Sequence, residues 1–253
     1  MPPVRAWPAV IRPLNVQEAG NRSRQHAAVL TEEDPQMSTS VSTPAPTASD
    51  GIADPGPLGL AGFAATTFVL SSFNAHLIAQ NLLLVVLPLA LFYGGLIQLL
   101  AGMWEFKKGN TFGATAFASY GAFWLSYAAY VKFIVADLPP STANQATGLY
   151  LLIWAIFTVF MTVAALRTSG ALLAVFVTLS ATFILLTIAE FAQSETTTKI
   201  GGWIGLLTAL CAWYTAFAGV VNATWKRPAV PVLALTGPVG LGRRGGPVEE
   251  SHA

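Results

Sequence analysis

Residues 82–103 read LLLVVLPLALFYGGLIQLLAGM, a run without one charged side chain. A helix of that length in a water-soluble core keeps a polar face, whereas about 20 apolar residues are what a helix needs to cross the hydrocarbon of a bilayer. The run therefore reads as a membrane span. Composition extends that reading to the chain: 54% of the 253 residues are hydrophobic and 10% are charged, against about a quarter charged in a soluble domain. Apolar segments of similar length fall at 58–78, 82–104, 111–136, 148–166, 170–192 and 201–222. They predict an all-α fold, a six-helix transmembrane bundle. They lack the short apolar-polar alternation of the strands of an outer-membrane barrel.

The connectors set the expected orientation. Lys107 and Lys108 lie between the second and third segments, Arg167 between the fourth and fifth, and Lys226, Arg227, Arg243 and Arg244 after the sixth. The alternate connectors offer Lys199, with Lys132 just inside the end of the third segment. Positive charge gathers on the cytoplasmic side, so both termini are expected there, in a multi-pass protein of the plasma membrane. Trp104, Trp203 and Trp225 sit near segment ends, as interfacial anchors do.

Residues 1–53 are chain of another kind. MSTSVSTPAPTASDG (37–51) is rich in Ser, Thr and Pro, and the part before it carries Arg5, Arg12, Arg22 and Arg24 without apolar periodicity. Burial there cannot offset the entropy of ordering, so a disordered arm is expected, with Met37 as an alternative start and 1–36 as an upstream extension. The six-helix transmembrane body is expected over 54–225. Residues 226–253, whose one apolar patch is cut by Pro231 and Pro238, are expected to form a disordered tail.

Little in the composition speaks for an enzyme. His26, His76 and His252 are far apart and Cys211 is the single cysteine, so no metal or haem ligand set is evident, and no phosphate-binding Gly-rich loop occurs. No cofactor and no nucleic-acid partner is expected. Cys211, in mid-segment, reads as a small packing residue.

Polarity is instead arranged on helix faces. Phe63, Thr66, Thr67, Ser71 and Asn74 recur at spacings of three and four, one hydroxyl and amide stripe headed by an aromatic ring. In the third segment Thr115, Ser119, Ala122 and Ser126 share a face, next to Tyr120, Phe123, Tyr127 and Tyr130. In the second, Gly94, Gly95, Gln98 and Gly102 line one side and invite close approach of another backbone. Small and hydroxylated residues are also the ordinary glue between membrane helices, so spacing alone leaves packing and a polar permeation path equally open. Glu190 is the carboxylate that reads as lying well inside a span, which makes it a functional candidate such as a proton relay; snorkelling to the outer interface is the other reading.

Three stretches decide further: DPGPLGLAGF (54–63), FYGGLIQLLAGMWEFKKGNTFGATAFASYGAFWL (92–125) and GGWIGL (201–206). In this order they resemble the acetate uptake transporter family, the succinate and acetate permeases, over about residues 54–225. The resemblance implies passage of acetate and related short carboxylates across the bilayer, as proton symport or channel-like flow, in a homo-oligomer that is commonly a hexamer. It also implies a constriction made by Phe63, Tyr120 and Leu179. The residues themselves place Thr182 near Leu179 in the fifth segment, and the hydroxyl that distinguishes Tyr120 from Phe63 is expected to donate to a passing carboxylate. Asp54, Pro55, Pro57 and Gly59 then form the signature entrance. The prolines pre-set the start of the first helix and the glycine allows close packing. The family's signature opens on Asn, where this chain has Asp54. That residue can still accept hydrogen bonds from the free N–H groups of the helix start, but it lacks the amide's donor and adds negative charge near the mouth. A sensor or scaffold that passes no substrate is the competing class, and it predicts a folded output domain.

Overall fold

Helix α1 (Gly56–Asn74) starts directly after Pro55, with Pro57 in its first turn, where a missing N–H costs nothing. Asp54 Oδ1 accepts from the Gly56 N–H at 3.2 Å, and left-handed His76, at φ 57°, follows the far end. The computed structural model describes residues 51–235; the expected disordered arm, save its last residues 51–53, and the last part of the expected tail lie outside these residues.

The second span, Gln80–Lys107, departs from the uniform helix expected over 82–104. It opens as a 3₁₀ turn (Gln80–Val85), becomes α2 (Val86–Leu91), widens into a π turn (Phe92–Ile97) and closes as α3 (Gln98–Lys107). The π turn coincides with FYGG. A methyl group at Gly94 would meet the Thr66 side chain, and one at Gly62 of α1 would lie 2.5 Å from the Tyr93 carbonyl oxygen. The glycines therefore let α1 and the widened turn touch backbone to backbone.

Four more helices follow. Asn110 caps α4 (Thr111–Phe133) by accepting from Gly113 N–H at 3.1 Å. Helix α5 (Pro140–Ala165) has Pro140 in its first turn, and Ser169 and Ser194 cap α6 (Gly170–Ala192) and α7 (Glu195–Trp225). Two of these outrun their apolar segments, since α5 begins eight residues before the expected 148 and α7 six before the expected 201. The added turns are polar and helix-compatible, so hydropathy does not register them.

Among the described residues, five helices are long and apolar enough to cross a bilayer. The sixth, α4, has the length but falls outside that set, being rich in Ala, Gly, Ser and Tyr. It is an inner helix and buries Phe117, Tyr120, Phe123 and Trp124. The chain is thus an all-α, multi-pass membrane bundle, with α1 against α7, α7 against α6, α6 against α5, and the second span and α4 completing the ring. Leu84, Phe92, Ile153, Ile156, Val163 and Phe217 stand exposed on its outside, where lipid tails meet them at no cost in hydration.

Residues 226–235, expected within a disordered tail, instead fold back as an ordered strap. Lys226 turns at φ 51°. The Asn222 side chain then exchanges two 2.8 Å hydrogen bonds with the Val230 backbone, and Tyr214 donates to Pro231 O at 2.6 Å. Gly170 and Ala171 donate to Leu233 and Val232 carbonyls at 2.7 and 3.1 Å, and Leu235 donates to Thr168 O. These partners lie on elements that hydropathy does not relate to the tail.

Candidate functional site

Two cavities lie inside the bundle, one from each end. The first, of about 300 Å³, is bounded by the start of α1, the α3–α4 turn, α6, α7 and the strap, whose Val232 forms part of the wall. The second, of about 100 Å³, lies toward the other end, near Asn74, Thr147, Glu190 and Thr198. Phe63 of α1 and Leu179 of α6 line both. Tyr120 of α4 lines the first, its ring centroid 5.8 Å from that of Phe63. All three are buried, at 4%, 3% and 3% exposure. Side chains from three helices separate the two cavities.

Physical packing explains why these three are held there. The Tyr120 ring is gripped by Phe157 edge-on at 5.3 Å and by Phe176 at 6.2 Å. Its hydroxyl lies 2.9 Å from Thr158 Oγ1, and that threonine donates its own hydrogen to Trp154 O at 2.7 Å. Tyr120 is therefore the donor, and its hydroxyl is committed to α5. The expectation that it donates to a passing carboxylate is corrected on that ground: Tyr120 contributes a fixed ring wall.

The predicted polar residues divide by face. Thr67, Ser71, Asn74 and Thr182 line the second cavity, with Glu190 at the same end. Thr67 Oγ1 has no hydrogen-bond partner although buried, and Thr182 donates to Thr178 O at 2.9 Å. Gln98 lines the first cavity at 1% exposure, with Oε1 unpaired. Thr66 lines neither cavity. It donates to Gly62 O at 2.9 Å and packs at Gly94, so it serves the α1 contact with the second span. Ser119 is half-buried and also lines neither cavity.

The signature segment frames the first cavity. Asp54 and Pro57 line it, while Pro55 accepts the first helical hydrogen bond, from Gly59 N–H at 3.1 Å. A methyl group at Gly59 would meet the Phe117 ring at 2.7 Å, so glycine there lets α1 press on α4. Asp54 also holds Lys108 Nζ at 3.1 Å. The added negative charge of Asp54 is thereby paired with a lysine of the KKGN turn.

One charged residue of this cavity is absent from the expected set. Glu105, in the last turn of α3, is 2% exposed and lines the cavity. Its Oε2 accepts from Asn110 Nδ2 at 2.8 Å. Glu190 is only half-buried, so Glu105 displaces it as the most deeply buried carboxylate among the described residues. Next to Lys107 and Lys108 it read as connector; the available signal was Asn110 five residues on, where one amide can cap α4 and hold a carboxylate. No group of three or more His, Cys, Asp or Glu comes together among the described residues.

Known proteins resemble this chain over most of its length. The model of the GPR1/FUN34/yaaH family matches residues 37–237. Accumulation of dyads protein 2 of Saccharomyces cerevisiae is 46% identical over 183 residues, 70% of this chain and 65% of that protein. The Escherichia coli succinate-acetate/proton symporter SatP is 40% identical over 181 residues, 72% of this chain and 95% of the symporter. Among solved structures, the bacterial acetate channel SatP superposes with a TM-score of 0.67 at 39% identity, covering 72% of this chain and 99% of the channel. With a matched region this long and relatives this similar, the chain belongs to the GPR1/FUN34/yaaH family.

Proposed function

We propose that this protein passes acetate and related short carboxylates such as succinate across the plasma membrane, in company with protons. The observation that carries the reading is the pair of cavities that meet at Phe63 and Leu179. A small carboxylate moved into hydrocarbon loses several kcal/mol of hydration. Hydroxyls and amides lining a path offset part of that cost without holding the ion too tightly to leave. Thr67, Ser71, Asn74 and Thr182 supply such groups on one side of the constriction and Gln98 on the other. Phe63, Tyr120 and Leu179 act as the gate, Asp54, Pro55, Pro57 and Gly59 shape the entrance, and Glu190 is a candidate proton relay at the far mouth. A transport role needs no catalytic set, and the protein works as a non-enzymatic homo-oligomer, a hexamer by family resemblance, each protomer with its own path.

Labelled acetate preloaded against unlabelled acetate in proteoliposomes tests this. Counterflow above that of protein-free vesicles is the expected result, and uptake is expected to follow an imposed pH gradient more than an imposed potential, because one acetate with one proton carries no net charge. Absence of counterflow with folded protein would refute the transport reading.

Six crossings bring the start of α1 and the ends of α3, α5 and α7 to one end, as the Asp54–Lys108 pair and the strap's contacts with Thr168 and Gly170 require. That end carries Lys107, Lys108, Arg167 and Lys226 and is the cytoplasmic one, so both termini are cytoplasmic. Single cysteines placed at 107 and 167 are expected to be shielded from an impermeant thiol reagent in intact cells, and one at 142 to react. Labelling at 107 from outside would reverse the assigned orientation.

A further inference from the structure

Glu105 places a carboxylate in the wall of the first cavity, where a carboxylate substrate would have to stand. Three charged side chains lie near it. From the approach to α1 it faces Asp54; from its own end of α3 come Lys107, exposed at the surface, and Lys108, which is committed to Asp54 at 3.1 Å. From α4 the cavity receives Gly113 and the buried phenol of Tyr120, from α6 Leu172 and Val175, and from α7 Thr215 and Asn222. The direct partner of Glu105 is the neutral Asn110 amide, on Oε2. Oε1 is turned toward Gly56, where a methyl group would lie 3.5 Å from it. The Asp54 charge is balanced locally; that of Glu105 is not.

An anion entering this cavity adds a second uncompensated negative charge within a low-dielectric wall, and like charges so placed favour protonation of one of them. We propose that Glu105 carries the proton that accompanies each small carboxylate, bonding it to Oε1 while Asn110 holds Oε2, and returning it to water when the anion leaves. The inference rests on the transport reading and assigns the proton within the first cavity to one side chain. By linkage, removing the proton at higher pH must weaken occupation by the anion to the same extent that the anion promotes protonation. Gln98, buried in the same cavity with an unpaired amide oxygen, gives the anion a neutral partner once its amide is turned by half a rotation, so that the N–H donates.

The test is acetate counterflow in proteoliposomes with equal pH on both sides and the potential clamped, repeated from pH 6 to pH 8. Acetate stays ionised over this range, since small carboxylic acids titrate near pH 4. For wild type the half-saturating acetate concentration is expected to rise by about fivefold or more, one proton allowing at most roughly tenfold per pH unit. In Glu105→Gln that rise is expected to vanish, whatever the absolute rate; a wild-type slope in the variant would overturn the proposal. If Glu105→Gln carries no counterflow, Glu105→Asp decides: a displaced pH midpoint supports the assignment and an unmoved one overturns it. Failure of counterflow in wild type would sink the transport reading itself, a distinct outcome.

Discussion

Leu179→Ala is expected to let butyrate and other longer acids through while acetate continues to pass. Leu179 is 3% exposed and lines both cavities opposite Phe63, so its side chain occupies the volume that a longer acid would need. Room for a methylene in an apolar pocket discriminates substrates by at least roughly tenfold, and a shift of about that size in the butyrate-to-acetate uptake ratio is the expected result. Tyr120→Phe provides the contrast. It removes the hydrogen bond to Thr158, whose net worth is about 1 kcal/mol, and frees a ring that is otherwise fixed, without adding room. Slower uptake of all acids with an unchanged ratio is expected. Uptake of both acids by purified variants in proteoliposomes measures this; unchanged rate and ratio in both, with folded protein, would assign these side chains to packing alone.

Gly102→Ala is expected to be among the most damaging single-methyl changes in the chain. The added carbon would fall 2.5 Å from the backbone nitrogen of Ala118, and in the same crossing a carbon at Gly121 would fall 2.6 Å from the backbone nitrogen of Leu99. Backbone cannot rotate aside as a side chain can, so α3 and α4 must separate. Overpacking costs about 1–3 kcal/mol and occasionally more, and a backbone obstruction belongs at the upper end. Separation would also shift Glu105 and Tyr120, which stand on these two helices, so transport is expected to fall along with stability. Gly109→Ala is the control: nothing lies within 4 Å of its added carbon, and the cost is that of its φ of 72°, roughly 1–2 kcal/mol. Detergent-solubilised yield and thermal unfolding of the two variants compare them directly; a Gly102→Ala protein as stable as the control would refute the close crossing.

The number, order and approximate place of the helices were legible in the chain, because a bilayer accepts a segment for its length and lack of charge, both local properties. The close glycine contacts were legible for a related reason, since a residue with no side chain on an otherwise bulky span has few other uses. Phe63, Tyr120 and Leu179 came together in expectation through family resemblance, and their meeting between two cavities needed the fold, as each lies on a different helix and each alone reads as core. Thr66 and Thr67 are adjacent in sequence, and only packing sends one to the second span and the other to a cavity. The Tyr120 hydroxyl was free in sequence and is bound in the structure, because its partner Thr158 lies 38 positions away. The strap at 226–235 and the burial of Glu105 were hidden for the same reason. Local hydropathy describes how a segment meets lipid or water, whereas the strap is pinned by carbonyls and amides of distant turns, and Glu105 is buried by α1 and by an asparagine that sequence reads as part of an exposed loop.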